Sequence, residues 1–440
     1  MSIELITILL FISLFTLIFL GLPLAFCLGS VSIIFSYFIL GPNSLYLLAN
    51  RTSGAMFNYV MLAVPLFMFM ANILEKSGLA DDLYSAFHIW MGPLRGGLAI
   101  GTVIICTAMA AMSGVSAAAV LTMGIIAVPA MLKRGYDKSM VLGSTMAGGA
   151  LGQLIPPSVL MVVYGGMAGV SVGKMFMGGI FPGLVLSGLF ILYIAIRCFI
   201  QKDLGPALPK EERDKITWAI KFKALRAIIL PILLIVSVLG SIFQGIATPT
   251  EAAAIGAFGS IICGLIYRRL TWQVFRNACI NTLKSSCMVM WIMIGSLLFV
   301  SFYFGAGGAD FVKSSLLQLQ VNRWFIIIGM QVILFILGCL MDPAGIVLLC
   351  TPLWIPIIKA LGFDPLWFGV LFIVNLEMSY LTPPFGYNLF YMKSIAPKGV
   401  TMADIYRSVT PFVVLQAAGL VLCMIFPELI TWLPGMMIGK

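Results

Sequence analysis

The chain has a single histidine, His88, in 440 residues, and its nine cysteines (27, 106, 198, 263, 279, 287, 339, 350 and 423) are scattered through apolar segments without one CxxC pair. A zinc, haem or dithiol centre needs clustered His or Cys ligands, so such a site has little to build on and the cysteines read as packing residues. A membrane-embedded enzyme would need a nucleophile with its base, or a metal cluster, and neither constellation is visible; no enzyme and no organic cofactor are expected. Charge is scarce too: 10% of residues are charged and 61% hydrophobic, with a mean hydropathy of +1.10. A soluble domain of this composition could not cover its surface with polar groups, so the chain is an integral membrane protein. Alternating segments of about ten residues are absent, which excludes a membrane β-barrel. In a soluble protein the formal charge of +10 would suggest nucleic acid; in this one it belongs to loops that set topology, and no nucleic-acid partner is expected. The first apolar run, ITILLFISLFTLIFL, follows Glu4 rather than basic residues and precedes no small-residue cleavage site, so it reads as a retained helix.

What is present is a long series of apolar runs. The pattern predicts helices near 3–20, 23–40 and 60–77, an interfacial stretch at 79–92, a pair at 97–112 and 117–132, a helix from 138 to 168 broken at 152–158, and a long helix at 175–200. QKDLGPALPKEERDK (201–215) is the only extended polar segment and reads as a loop between two halves. Beyond it come 224–242, 250–267, an interfacial 270–281, 284–304, a short amphipathic 310–320, a pair at 323–341 and 343–360, a helix broken at 381–387, and a last helix at 408–430. The order of pieces repeats, and spacing supports it. Pro129, Gly135-Tyr136-Asp137 and Pro156-Pro157 match Pro356, Gly362-Phe363-Asp364 and Pro383-Pro384 at a constant offset of 227. Upstream, Gly78-Leu79-Ala80-Asp81 matches Gly307-Gly308-Ala309-Asp310, and Ser113-Gly114 falls opposite Asp342-Pro343, at offset 229. The chain reads as a duplication.

With the N-terminus outside, twenty of the 26 lysines and arginines face the cytoplasm, leaving Arg51, Lys174, Lys313, Arg323, Lys359 and Lys440 outside. The paired helices then enter and leave on one side as hairpins, each arm about 16 residues or ~24 Å, short of the ~30 Å hydrocarbon core. The second half begins on the opposite side from the first. The expected fold is therefore an all-α polytopic membrane protein of inverted repeats, with two re-entrant hairpins and two broken helices, an architecture of secondary transporters.

A single Pro-Pro kink is ordinarily a packing bend. Two at matched positions, each paired with a polar hairpin tip, point to function. Proline removes a backbone donor and frees carbonyls, which in hydrocarbon must face protein, water or an ion. The tips AMSGVSAAAV (109–118) and CLMDPAGIVL (339–348) add hydroxyl and carboxylate oxygen. Tip and break together bring carbonyls with Ser113, Ser116 and Ser158 on one side, and Asp342, Ser379 and Thr382 on the other, towards midplane. Oxygen ligands suit hard cations, and so few carboxylates favour sodium over calcium; two halves imply two sodium sites. Half-helix N-termini between them suit an anionic solute, with Gln153 in the first break and Tyr387 and Asn388 beyond the second as candidate contacts. Asp342 is either a ligand or a cap for the second arm. Asn72, Asn375 and Glu377 are either functional or interhelical glue.

GIATPTEAAAIG (245–256), MDPAG (341–345) and LTPPFGYNLF (381–390), with SGVSAA and LIPPS in the first half, resemble the large membrane subunit of tripartite ATP-independent periplasmic transporters over essentially the whole chain. The resemblance implies a multi-pass protein of a bacterial inner membrane, working as an elevator. Residues 1–200 would form the first repeat (scaffold 1–92, transport elements 93–200), 201–223 a cytoplasmic connector, and 224–440 the second repeat (scaffold 224–304, transport elements 305–440). It also implies sodium-coupled uptake, a small four-helix membrane subunit and a periplasmic substrate-binding protein, besides the surrounding lipid. The small subunit is expected to be a separate chain, since no four-helix block precedes Met1. Carried over by motif, the ion and solute positions are those around Ser113-Gly114 with Pro156-Pro157 and around Asp342 with Thr382-Pro383-Pro384; with the oxygen and amide groups beside them, ion positions are read at Ser113, Gly114, Ser116, Pro156, Pro157, Asp342, Thr382 and Pro383, and solute positions at Gln153, Ser158, Ser379, Pro384, Tyr387 and Asn388. Carboxylated solutes are implied, with sialic acid favoured over a C4-dicarboxylate. The rival is a stand-alone sodium/dicarboxylate symporter that needs no binding protein.

Overall fold

Prolines, glycines and short capping side chains decide where this nearly continuous apolar chain becomes separate helices. The computed structural model describes residues 1–208, 211, 217–218, 221–222, 229–318, 321–384 and 386–437. All regular structure among them is helical. Among the described residues, seven helices are long and apolar enough to cross a membrane by length and composition. The connector beyond Leu208 for the most part, the expected start of the second repeat at 224, and the cations Lys210, Arg213, Lys215, Lys223, Arg226 and Lys440 lie outside the described residues.

The first half comprises α1 (Ile3–Phe19), α2 (Leu24–Phe35, running on to Leu40), α3 (Ser44–Met56), α4 (Ala63–Lys76), α5 (Leu79–Met91), the hairpin α6 (Gly97–Ser113) and α7 (Ser116–Lys133), the broken pair α8 (Lys138–Ala150) and α9 (Val159–Ala168), and α10 (Val172–Ile200). The second comprises α11 (Ile229–Phe243), α12 (Pro249–Ile266), α13 (Trp272–Gly305), α14 (Gly308–Gln318), the hairpin α15 (Arg323–Gly338) and α16 (Pro343–Ala360), the broken pair α17 (Pro365–Tyr380) and α18 (Tyr387–Ile395), then α19 (Met402–Ile425) and α20 (Glu428–Gly435).

Matched residues do matched work. Asp137 caps α8 by accepting from the Ser139 and Met140 amides at 3.0 and 3.1 Å, and Asp364 caps α17 by accepting from Leu366 N–H at 2.8 Å. Gly135 and Gly362, just before them, turn the chain out of each hairpin with φ of +78° and +75°, a left-handed conformation that favours glycine. Both Pro-Pro bonds, 156–157 and 383–384, are cis.

The structure corrects the sequence reading in four places. Helix α3 has no counterpart in it. The expected 270–281 and 284–304 are one 34-residue helix, α13, because Asn281, Thr282 and Lys284 supply polarity without a proline or glycine to stop the helix. The final helix begins at Met402, where Thr401 and Asp404 form a reciprocal capping box, and stops before Pro427, after which α20 follows. Finally, α7 and α16 are each 18 residues, or ~27 Å, and both count among the seven potential spans. Arm length therefore does not separate a hairpin from two full spans.

The halves interlock. Helix α13 packs on α2 and α4, and α12 packs on α4. In each half the first hairpin arm packs on the helix leading into that half's own break, α6 on α8 and α15 on α17. The second arms also cross over: α7 packs on α18 and α16 on α9.

Candidate functional site

Each hairpin tip is seated on the break of its own half. A Cβ added at Gly114 (φ +61°) would lie 2.3 Å from the Pro157 carbonyl oxygen, and one at Gly152 would lie 3.0 Å from the Val115 carbonyl. At the second tip a Cβ on Gly338 would lie 2.0 Å from Ser379 Oγ. At the first tip backbone meets backbone, and at the second the Gly338 backbone meets the Ser379 side chain, each at a distance that only a residue without a side chain allows.

The breaks are held by their own hydroxyls. Ser158 Oγ donates to the Gln153 carbonyl across the first break and accepts from Met161 N–H at 3.4 Å as the cap of α9. Thr382 Oγ1 donates to the Met378 carbonyl at 2.8 Å and Ser379 Oγ to the Leu376 carbonyl at 2.7 Å. At the second break these hydroxyls bond carbonyls of the last turn of α17, where Met378 O also accepts from Leu381 N–H at 3.2 Å. The crossover between halves is sealed by Ser116 Oγ, which donates to Asn388 Oδ1 at 2.7 Å.

Both tips and both breaks meet around a cavity of about 320 Å3. Ser113, Gly114 and Val115 reach it from the first tip, Gln153 from the first break, Asp342 and Ala344 from the second tip and Tyr380 from the second break. Helices α4 and α13 close the other wall with Asn72, Glu75, Ser285 and Val289. Gln153 lines the cavity and is buried, and its Oε1 has no hydrogen-bond partner among the described residues. Asn72 Nδ2 donates to the Met68 carbonyl at 2.8 Å and to Thr282 Oγ1 at 3.3 Å; it ties α4 to α13 while lining the wall. Asp342 accepts from the Ala344 and Gly345 amides at 3.0 and 3.4 Å through Oδ1. It is a cap and a wall residue at once. Ser113 Oγ donates to the Val115 carbonyl at 3.2 Å within its own turn.

Of the fourteen residues singled out in the sequence, Ser113, Gly114, Gln153 and Asp342 line this cavity. Ser116 and Asn388 join the two halves through their hydrogen bond, Ser158, Ser379 and Thr382 brace the breaks, and Pro156, Pro157, Pro383 and Pro384 form them. The Tyr387 ring packs against Tyr380 at 5.4 Å and Tyr391 at 6.5 Å between centroids. Tyr380, Glu75 and Ser285 escape a reading of the sequence, because nothing local distinguishes them from other polar residues in apolar helices; only the approach of α4 and α13 to the tips reveals them. Asn375 proves to be glue: its Nδ2 donates to Gln331 Oε1 at 2.6 Å and to the Gln331 carbonyl at 2.7 Å, binding α17 to α15.

The family model for the DctM component of tripartite ATP-independent periplasmic transporters matches residues 11–429. A C4-dicarboxylate TRAP transporter large permease protein from Vibrio cholerae is 31% identical over 98% of each chain. A sialic acid TRAP transporter large permease protein, also from Vibrio cholerae, is 28% identical over 96% of this chain and 97% of its own. Among solved structures, the Alcanivorax borkumensis YdaH transporter superposes with a TM-score of 0.68 at 15% identity, covering 94% of this chain and 98% of that one, a likeness of fold.

Proposed function

The chain belongs to the DctM component family of tripartite ATP-independent periplasmic transporters, and from that premise we propose that it carries a carboxylated organic solute into the cell with sodium, through the cavity between the two tips and the two breaks. As a large permease subunit it is a multi-pass protein of the inner membrane and a transporter, not an enzyme. The family implies a small membrane subunit beside it and a periplasmic substrate-binding protein that delivers the solute. We place the N-terminus in the periplasm, on the distribution of lysine and arginine.

The observation that carries this reading is the composition of the cavity wall. Two duplicated tip-and-break units supply it with short polar side chains and helix N-termini, and α4 and α13 face them. Motion of hairpins and broken helices against α4 and α13 would carry the site across the membrane, the elevator step. Sodium is read at Ser113, Gly114 and Ser116 with the first break, and at Asp342 with Thr382 and Pro383, where hydroxyls, carbonyls and one carboxylate offer oxygen.

Sialic acid fits this wall better than a C4-dicarboxylate. The described lining holds no lysine or arginine but does hold Glu75 and Asp342. A dianion would enter without a fixed cation to balance it, at high desolvation cost. A monoanion rich in hydroxyls can use Gln153, Asn72, Ser113, Ser285 and Tyr380 as neutral partners, with a co-transported sodium for its carboxylate.

The test is solute uptake by liposomes holding this chain with its small membrane subunit and supplied with the binding protein. Gln153→Ala and Tyr380→Phe each raise the KM for solute about tenfold, the loss of one hydrogen bond worth about 1.4 kcal/mol, and leave the half-saturating sodium concentration unchanged. An unaltered KM in both variants would place the solute elsewhere.

A further inference from the structure

A second cleft, of about 310 Å3, opens between the start of α8, the last turns of α10, the first turns of α19 and Leu204 of the connector. Two arginines line it, Arg197 from α10 and Arg407 from α19. Both are exposed, and among the described residues neither guanidinium has an ion-pair or hydrogen-bond partner. The carboxylates beside them are held in helix caps. Asp137, which also lines the cleft, accepts from the Ser139 and Met140 amides, and Asp404, a turn before Arg407, accepts from the Thr401 amide and hydroxyl at 2.8 Å. Two guanidinia with one lining carboxylate leave the cleft a single positive charge in excess.

The surroundings are those of a membrane boundary. Both α10 and α19 are long and apolar enough to cross a membrane, and they pack on one another, with the Phe412 ring 5.5 Å from Phe190 and 5.3 Å from Tyr193 between centroids. Tyr193, Pro411 and Phe412 form the apolar side of the cleft. Arg197 lies in the last turn of α10 and Arg407 near the start of α19, so the two cations sit at one shared end of two spans. From that end the outer surface turns apolar: Val414 follows Arg407 by about two turns on the same face of α19 and is exposed, as is Ile196 beside Arg197. The cleft therefore combines two accessible cations, one unit of uncompensated charge and an apolar flank that leads into the hydrocarbon.

We propose that Arg197 and Arg407 together clamp the phosphodiester of an anionic membrane phospholipid. Guanidinium groups match phosphate oxygens in planar, two-pronged hydrogen bonds, and the single negative charge of a phosphodiester matches the excess in the cleft. Tyr193, Pro411 and Phe412 cover the glycerol and the first carbons of an acyl chain, whose remainder follows the outer faces of α10 and α19. A free phosphate would leave that apolar flank without an occupant. A zwitterionic lipid would bring its own cation to a cleft that is already positive. Bound there, the lipid ties α10 to α19 beside the connector, where the Leu204 carbonyl accepts from Asp137 N–H at 3.1 Å.

The test is thermal unfolding of the full chain in detergent, titrated separately with dioleoylphosphatidylglycerol, dioleoylphosphatidylcholine and inorganic phosphate. Phosphatidylglycerol raises the melting temperature by about 3 °C, and the other two do not. Arg197→Gln and Arg407→Gln, both at exposed positions, each remove at least half of that rise while their melting temperatures without lipid stay within about 1 °C of wild type. Lys359→Gln, at an exposed cation outside the cleft, keeps the full rise. No rise with phosphatidylglycerol, an equal rise with phosphatidylcholine, an undiminished rise in either arginine variant, or an equal loss in Lys359→Gln overturns the proposal. An equal rise with inorganic phosphate rejects the lipid in favour of a free anion.

Discussion

Asp342 joins two roles in one side chain, and they can be separated. Its Oδ1 caps α16 and the residue faces the cavity. Asparagine caps a helix about as well as aspartate, so Asp342→Asn keeps the cap and removes the charge, whereas alanine removes both. As a sodium ligand, Asp342 makes both variants raise the half-saturating sodium concentration, by about tenfold for a lost contact to a charged group. Wild-type sodium dependence in Asp342→Asn, with loss confined to Asp342→Ala, would leave it a cap alone. Gly114 is a steric counterpart: at φ +61° with Pro157 O at 2.3 Å from a new Cβ, Gly114→Ala must lift the tip from the break. Uptake at under a tenth of wild type is expected from protein that still inserts and purifies, because backbone has no soft neighbour to move.

At the scale of elements, the legible part of the chain is what proline, glycine and short polar residues do locally. Pro156-Pro157 and Pro383-Pro384 break helices wherever they stand, and Asp137 and Asp364 cap α8 and α17, so both broken helices and the paired helices before them are visible in the order of residues alone. What is not visible there depends on tertiary approach. Tyr380 and Glu75 become wall residues only because α4 and α13 close on the tips, and Ser116 meets Asn388 only because α7 crosses to the other half. That crossover has a measurable strength. A double-mutant cycle of Ser116→Ala and Asn388→Ala in thermal unfolding should show a coupling of about 1 kcal/mol, and additivity within about 0.3 kcal/mol would mean that the 2.7 Å bond does not hold the halves together.

For the whole molecule, the proposed coupling of two sodium ions to a monoanion makes the membrane potential part of the driving force: on that proposal one net positive charge moves inwards per cycle, worth about 2.3 kcal/mol per 100 mV. An interior-negative potential of that size should therefore raise the accumulation ratio by about fiftyfold over the sodium gradient alone. Accumulation indifferent to a clamped potential would require an electroneutral stoichiometry. The duplicated motifs make the architecture readable from one end of the chain to the other. The cavity wall is less so, because Gln153, Asn72, Ser113, Ser285 and Tyr380 come from separate segments and from both halves.

The most direct measurement is uptake of sialic acid and of succinate into liposomes holding this chain with its small membrane subunit, driven by an inward sodium gradient, with and without the periplasmic binding protein. Uptake of sialic acid that requires both the sodium gradient and the binding protein is the predicted result. Sodium-driven uptake that proceeds equally well without the binding protein, or uptake that persists when sodium is replaced by potassium, would contradict it.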